Sequence, residues 1–392
     1  MGLLRTIFAL LVVGSHLGAF GGATFAVKGF FIISGFYMAL VISTRYYALP
    51  VSDFYASRLL RLLPLYWVVG LLTVAAEILL VPPGQQFHKL VSPVANIGAV
   101  DLGSLPFPTL AYVVVSVSTM AGLDTGQWLG FDRVGGQLSL APFGPNATTV
   151  VDLSPVPPGW TIGLELLFYF IAPFVVRRSI WFIAGLCIFS LGFRVALMMA
   201  GFSGYPWSRS LFPSELIYFL LGVLAYRLYL IIPDLRFSSR TQACIAVMVL
   251  IVAVIYWPID YVVRGSLIWN TLPYVLIAAG IPFLFRLTKD NAIDANIGEL
   301  SYPIYLCHLF IIGLVQWSPL NNVPTWPRHI FTIILVIVAA FLLDRLLVLP
   351  LDRLRLKFGA KARIVSGLLG QEASPSASAA RHTDAVEWRR LR

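Results

Sequence analysis

Charge is what this sequence has least of. Only 12% of its 392 residues are Asp, Glu, Lys or Arg, against 58% hydrophobic residues, and the mean hydropathy is +0.84. Soluble domains carry about 25% charged residues, so a soluble globular fold is excluded. Cysteine is scarce as well. Cys187, Cys244 and Cys307 all lie inside apolar stretches. They offer neither a disulfide framework nor metal-ligand spacing, and they read as small buried hydrophobes. The first apolar segment is not expected to be a secretory signal peptide, because it has no polar region ending in a small-residue cleavage site and a second segment follows at once. No internal repeat is visible. Acidic residues number 18 against 28 Lys and Arg, a net charge of +10. That surplus is not a nucleic-acid footprint, because it collects between apolar segments and in the C-terminal tail, as the positive-inside rule requires.

What is present is a succession of apolar segments, at 3–20, 28–47, 62–81, 107–121, 160–176, 180–200, 211–231, 242–259, 269–286, 299–317 and 328–348. Most have the 17 to 25 residues of a membrane helix. The charges decide which of them cross. Arg45, Arg58 and Arg61 follow the second segment and place that loop, with the N-terminus, in the cytoplasm. If 107–121 crossed, every later basic cluster would be inverted. If it does not, Arg177/Arg178, Arg227/Arg236/Arg240, Arg286/Lys289 and the Arg353–Arg363 region all lie inside. The expected fold is therefore an all-α, polytopic membrane bundle of about ten transmembrane helices with both termini cytoplasmic. Residues 1–350 form the integral-membrane domain. Within it, 82–159 is a long extracytoplasmic region whose segment 107–121 is expected to dip into or pack on the membrane domain as a re-entrant piece. Residues 351–392 are a basic, Ser/Ala-rich tail expected to be mostly disordered.

The stretch RTIFALLVVGSH holds Arg5 and His16 at the two ends of an apolar run. Eleven residues of helix separate them by about 16 Å, so Arg5 stays at the cytoplasmic rim while His16 falls near mid-membrane. An ionisable group at that depth is a functional candidate by default. Interhelical hydrogen bonding is its ordinary alternative, as a snorkelling topology signal is for Arg5. Other polar groups are expected to share the cavity. Glu165 lies one turn into its helix in GWTIGLELLFYF, with Tyr169 four residues on and on the same face. SYPIYLCHLF carries His308, Tyr302 and Tyr305. FFIISGF places Ser34 and Gly35 where small residues let backbones approach. RLLRLLPLYW sets Arg58 and Arg61 one turn apart at the start of the third segment. Arginines at a rim can bind phosphates, and a buried His can act as general base toward a hydroxyl. A donor with phosphates at one end and a long thin arm would bridge the two, the shape of a coenzyme A thioester.

Five stretches, in this order, carry a resemblance: Arg5 with His16, GFFIISGF (29–36), RLLRLLPLYW (58–67), PPGWTIGLELLFYF (157–170) and SYPIYLCH (301–308). Together, over residues 1–350, they resemble the acyltransferase-3 family of membrane-bound O-acyltransferases, in the stand-alone form that modifies surface glycans. The resemblance implies that Arg5 and His16 are essential. It maps the family's Trp-Glu feature onto Trp160 and Glu165, and its Ser-Tyr-Tyr-Leu-His feature onto Ser301, Tyr302, Tyr305, Leu306 and His308. Two departures are visible. Lys28-Gly29 stands where many members have an acidic residue before the FF pair. Val348 stands where members often have Glu before a Pro.

The expected function is transfer of an acyl group, acetyl by preference, from cytoplasmic acyl-CoA to a hydroxyl of a glycan or lipid-linked saccharide, in the bacterial inner membrane. Acyl-CoA is a co-substrate, and no permanently bound cofactor, metal or nucleic-acid partner is expected; membrane lipids surround the chain. Arg5, Arg58 and Arg61 would hold the acyl-CoA phosphates. His16 would act as base or acyl carrier, with Glu165 and His308 as further catalytic groups. Ser34, Trp160, Tyr169, Tyr302 and Tyr305 would line the cavity or acceptor path. The rival reading is a transporter or flippase of lipid-linked glycans without covalent chemistry. A catalytically dead binding protein is a third.

Overall fold

The computed structural model describes residues 1–353 apart from 48, 133–135, 141–146, 203–205, 233–236 and 263–266. The expectation for the tail concerns residues that lie almost wholly outside those described.

The chain opens with three helices, α1 (Gly2–Leu17), α2 (Ala23–Ser43) and α3 (Val51–Leu80). An irregular region follows, holding α4 (Pro93–Gly98), α5 (Phe107–Thr119) and three short strands, β1 (Leu129–Asp132), β2 (Leu138–Leu140) and β3 (Ala147–Thr149). Then come α6 (Gly159–Val175), α7 (Ile180–Met199), α8 (Trp207–Ser210), α9 (Phe212–Ile231), α10 (Ser239–Val262), α11 (Leu267–Thr288), α12 (Ala292–Glu299), α13 (Ser301–Gln316) and α14 (Thr325–Leu343). Among the described residues, eight helical stretches are long and apolar enough to cross a membrane. Adding α1 and α6, of 16 and 17 residues, brings the plausible spans to about ten. The protein is a multi-pass helical membrane protein.

Burial orders the bundle. The most apolar stretch of α2 is 83% buried and that of α7 only 11%, so α2 is the central post and α7 lies at the rim. Exposed side chains such as Leu71, Trp181 and Ile188 belong to the apolar surface a bilayer would cover. The most extensive helix contact is α2 against α9. A Cβ on Gly35 would stand 1.9 Å from the carbonyl oxygen of Phe219, and one on Gly222 would stand 2.0 Å from that of Ile32. Only glycine allows this approach. Phe219 is held between Phe31 and Phe168, each ring centroid 4.5 Å away, which ties α2, α6 and α9 together.

The ends of the bundle differ. At one end arginines satisfy helix-end carbonyls. Arg177 donates to Ile42 O and Tyr46 O, and Arg227 to Val176 O and Arg178 O. Arg5 and Arg61 belong to this basic end. The other end is covered by a cap built from the region between α3 and α6. Its own core joins Val100, Leu105, Val113, Phe131, Val150 and Leu153. The strands form one antiparallel sheet in the order β2-β1-β3. That sheet was not expected, because strands of three or four residues are too short for hydropathy periodicity to reveal. α5 packs in the cap, and its last turn is tied to α3, with Tyr66 Oη donating to Val117 O and Trp67 Nε1 to Ser118 O.

Candidate active site

α1 is the shortest route into the bundle. It runs from the basic end and stops at Gly18, whose φ of 73° closes the helix in the left-handed region. His16 therefore sits in its last turn. With 16 residues, α1 rises about 24 Å, less than the thickness of a hydrocarbon core. His16 meets His308 in the middle of α13. Nδ1 of His16 is 2.8 Å from Nε2 of His308, and the rings are inclined by only 10°.

The hydrogen bonds order the protons. Nδ1 of His308 lies 2.7 Å from the carbonyl oxygen of Tyr305. A carbonyl only accepts, so His308 Nδ1 carries the hydrogen, and the Nε2 of a neutral ring is then an acceptor. His16 must donate to it from Nδ1. The lone pair of His16 is left on Nε2, the atom available to take a proton from a substrate. His308 is fully buried and His16 half-buried, so the pair is shielded from the side of His308. Tyr305 is fixed in turn, its Oη 2.8 Å from Thr161 Oγ1, which itself donates to Pro158 O.

Glu165 stands in a second polar group. Ser34 Oγ and Tyr169 Oη both donate to its Oε1. Among the described residues no hydrogen bond joins Glu165 to either imidazole; the group that orients His16 is His308. Tyr302 Oη donates to Leu62 O at 2.8 Å, which ties α13 to α3 two residues before Pro64. Trp160 is half-buried in the first turn of α6.

The three arginines of the basic end are not equivalent. Arg61 pairs with Glu299 at 3.3 Å. Arg58 is buried, with its guanidinium 5.7 Å from the Phe54 ring centroid and its Nε unpaired among the described residues. Arg5 is half-buried on the face of α1 below His16. Polar groups thus run from these arginines, past Tyr302, Tyr169, Glu165 and Ser34, to the paired imidazoles.

Sequence reasoning passed over several charged groups. Arg194 and Glu215 form a buried ion pair at 3.2 Å. Arg194 lies in LGFRVAL and Glu215 in FPSELIYF, and the rule that singled out His16, an ionisable residue in an apolar segment, applies to both. Asp124 in the cap is 1% exposed, and burial pushes its carboxyl up to about 6. His88, also in the cap, accepts from Leu90 N at Nδ1, and burial pushes its imidazole down to about 4.

A bundle of spanning helices with two imidazoles hydrogen-bonded to each other in its interior defines a polytopic membrane protein with a polar centre. The family model of the acyltransferase-3 family, described as an acyltransferase domain, matches residues 1–345, and the chain belongs to that family. Among curated proteins it is similar to the exopolysaccharide production protein ExoZ of Rhizobium meliloti (strain 1021), 25% identical over 358 residues that cover 88% of this chain and 94% of that protein. No solved structure matches the chain.

Proposed function

We propose that the protein moves an acyl group, acetyl by preference, from acyl-CoA to a hydroxyl of a glycan, free or lipid-linked, in the bacterial inner membrane. The observation that carries this reading is the His16–His308 pair, whose proton order leaves a base at Nε2 of His16. The name of the similar exopolysaccharide production protein supports a polysaccharide or its precursor as acceptor.

The donor enters from the basic, cytoplasmic end with its phosphates at Arg5, Arg58 and Arg61, and its thioester extends toward His16. The acceptor approaches from the capped side. Nε2 of His16 removes the hydroxyl proton as the oxygen attacks the thioester carbonyl. The resulting imidazolium is stabilised through Nδ1–H by His308. Collapse of the tetrahedral adduct forms the ester and breaks the C–S bond. The CoA thiolate then takes the proton from His16 Nε2, which restores the base. Glu165, held by Ser34 and Tyr169, lines the donor passage, and Tyr302 and Tyr305 shape the wall between donor and acceptor.

The test is transfer of labelled acetyl from acetyl-CoA into the glycan and lipid fractions of membranes carrying the full chain, beside His16→Ala at matched expression. Incorporation lost in the variant is the expected result. Incorporation that survives His16→Ala removes His16 as the base, and none in either sample overturns acetyl transfer to these acceptors.

A further inference from the structure

The cap reaches the paired imidazoles through one tight turn. His88 N donates to Val91 O and Val91 N to His88 O, at 3.1 and 3.0 Å. Ser92 Oγ accepts from His88 N and donates to His88 O. The turn is fastened to α13. Phe87 O accepts from Trp317 Nε1 at 2.9 Å, and a Cβ on Gly313 would stand 2.3 Å from the Phe87 ring. Phe87 and Val91 share a small apolar cluster with Leu309 and Ile312 of α13, and Leu17 of α1 packs against it. Leu17 follows His16 and Leu309 follows His308, so the turn that carries His88 rests on the neighbours of both imidazoles. His88 lies within electrostatic range of His16 and of His308, and the exposed Lys89 at the tip lies within range of His16.

Every hydrogen-bonding group of His88 but one is accounted for. Its backbone N and O are taken within the turn, and Nδ1 accepts from Leu90 N at 3.2 Å. Nδ1 is thus the acceptor, and the neutral ring carries its hydrogen on Nε2. Burial holds the ring neutral by pushing it down to about 4. Nε2–H has no partner among the described residues. His88 is only 6% exposed, and a donor so buried is costly to leave unmet. Backbone and Ser92 bonds already close the turn, so what the imidazole adds is a fixed donor. His16 and His88 therefore carry opposite proton states at Nε2, a lone pair on one and a hydrogen on the other. A saccharide suits such a pair, because neighbouring hydroxyls offer one proton to remove and one oxygen to hold.

We propose that His88 is an acceptor-binding residue of the transfer site, donating from Nε2–H to an oxygen of the saccharide next to the hydroxyl that His16 deprotonates. The inference rests on the acyl-transfer reading and deepens it, because it gives the acceptor a partner in the cap. The donor, entering from the basic end, does not meet His88.

The experiment follows labelled acetyl from acetyl-CoA into the glycan and lipid fractions of membranes carrying the full chain, with two variants that divide the contacts of the imidazole. In His88→Asn the side-chain carbonyl still accepts from Leu90 N, as in an Asx-turn, but the donor is withdrawn from the acceptor. In His88→Gln the amide NH2 reaches the place of Nε2, and the bond to Leu90 is given up. His88→Asn is expected to transfer about 10-fold more slowly than the wild type, with an unchanged KM for acetyl-CoA and a wild-type melting temperature in detergent. His88→Gln is expected to recover most of that loss. His88→Asn transferring at the wild-type rate, or His88→Gln transferring no faster than His88→Asn, overturns the assignment while acyl transfer stands. A loss in His88→Asn that resides in the KM for acetyl-CoA overturns it equally, since it places His88 on the donor side. Wild-type membranes that incorporate no label bring down the acyl-transfer reading itself, and the role of His88 with it.

Discussion

His16 Nδ1 lies 2.8 Å from His308 Nε2, two residues 292 positions apart whose rings are nearly parallel. A general base typically contributes about 10²–10⁴ in rate. His16→Ala should therefore lower acetyl incorporation by about 10³-fold or more. His308→Ala should lower it less, by about 10²-fold, because His16 keeps its Nε2 but loses the partner that fixes its tautomer. Incorporation of labelled acetyl at matched expression measures both, and an undiminished rate in His308→Ala would remove the pair from the mechanism.

The Glu165 carboxylate collects two hydroxyls, from Ser34 and Tyr169. Glu165→Ala leaves both donors unpaired in the bundle and should cost about 1–3 kcal/mol per group. Glu165→Gln retains a carbonyl acceptor at the same place and should melt close to the wild type. Thermal unfolding in detergent distinguishes the two variants, and transfer rates show whether the carboxylate's charge has a further role.

Helix contact at Gly35 and Gly222 admits no side chain. Gly35→Ala brings a methyl against the Phe219 carbonyl. Overpacking of this kind typically costs about 1–3 kcal/mol and occasionally more, and here rigid backbone on both sides places it at the upper end. Monodisperse protein recovered from detergent should fall sharply in Gly35→Ala and Gly222→Ala, whereas Gly185→Ala, with open space around it, should behave as wild type.

The cap carries a pH dependence of its own. Burial raises the Asp124 carboxyl from an ordinary 3.8 to about 6. A carboxyl whose folded pKa lies above its unfolded value contributes stability that is present below pH 4 and is lost as pH rises through 6. The charged form then opposes folding by about 3 kcal/mol at most. Asp124→Asn should raise the melting temperature at pH 7 and flatten its dependence between pH 4 and 7. A variant that melts lower at pH 7 would show that the charged carboxylate is needed.

At the basic end Arg5→Gln should raise the KM for acetyl-CoA about 10-fold with little change in kcat, as expected for binding shared by ground and transition state. Arg61→Gln should act in the same direction, less strongly, because Arg61 already spends part of its charge on Glu299. Saturation curves with acetyl-CoA check both.

Several parts of this molecule were legible before any coordinates. Sparse charge and apolar segments of membrane length showed the helical, multi-pass class, and the charge pattern set the span count near ten. The motifs around Arg5, His16, Glu165 and His308 pointed to the family. Gly35 was readable as a close-approach position because small residues have that use wherever helices pack in lipid. The three-stranded sheet in the cap was not legible, since strands so short leave no periodic trace. Neither was the buried carboxylate of Asp124, which looks like any loop aspartate until its surroundings are known.

By itself, then, the sequence determined what a one-dimensional pattern can carry: which segments belong in lipid, and which ionisable residues stand where lipid makes them costly. Only the tertiary structure decided who meets whom. It paired His16 with His308 rather than with Glu165, gave Glu165 to Ser34 and Tyr169, and joined Arg194 to Glu215. The physical reason is that depth along a helix follows from counting residues, while the side a residue faces, and the partner it finds there, follow from how the helices pack. Here that packing was set by glycines and stacked phenylalanines interleaved with the polar groups they bring together, Gly35 next to Ser34 and Phe168 next to Tyr169.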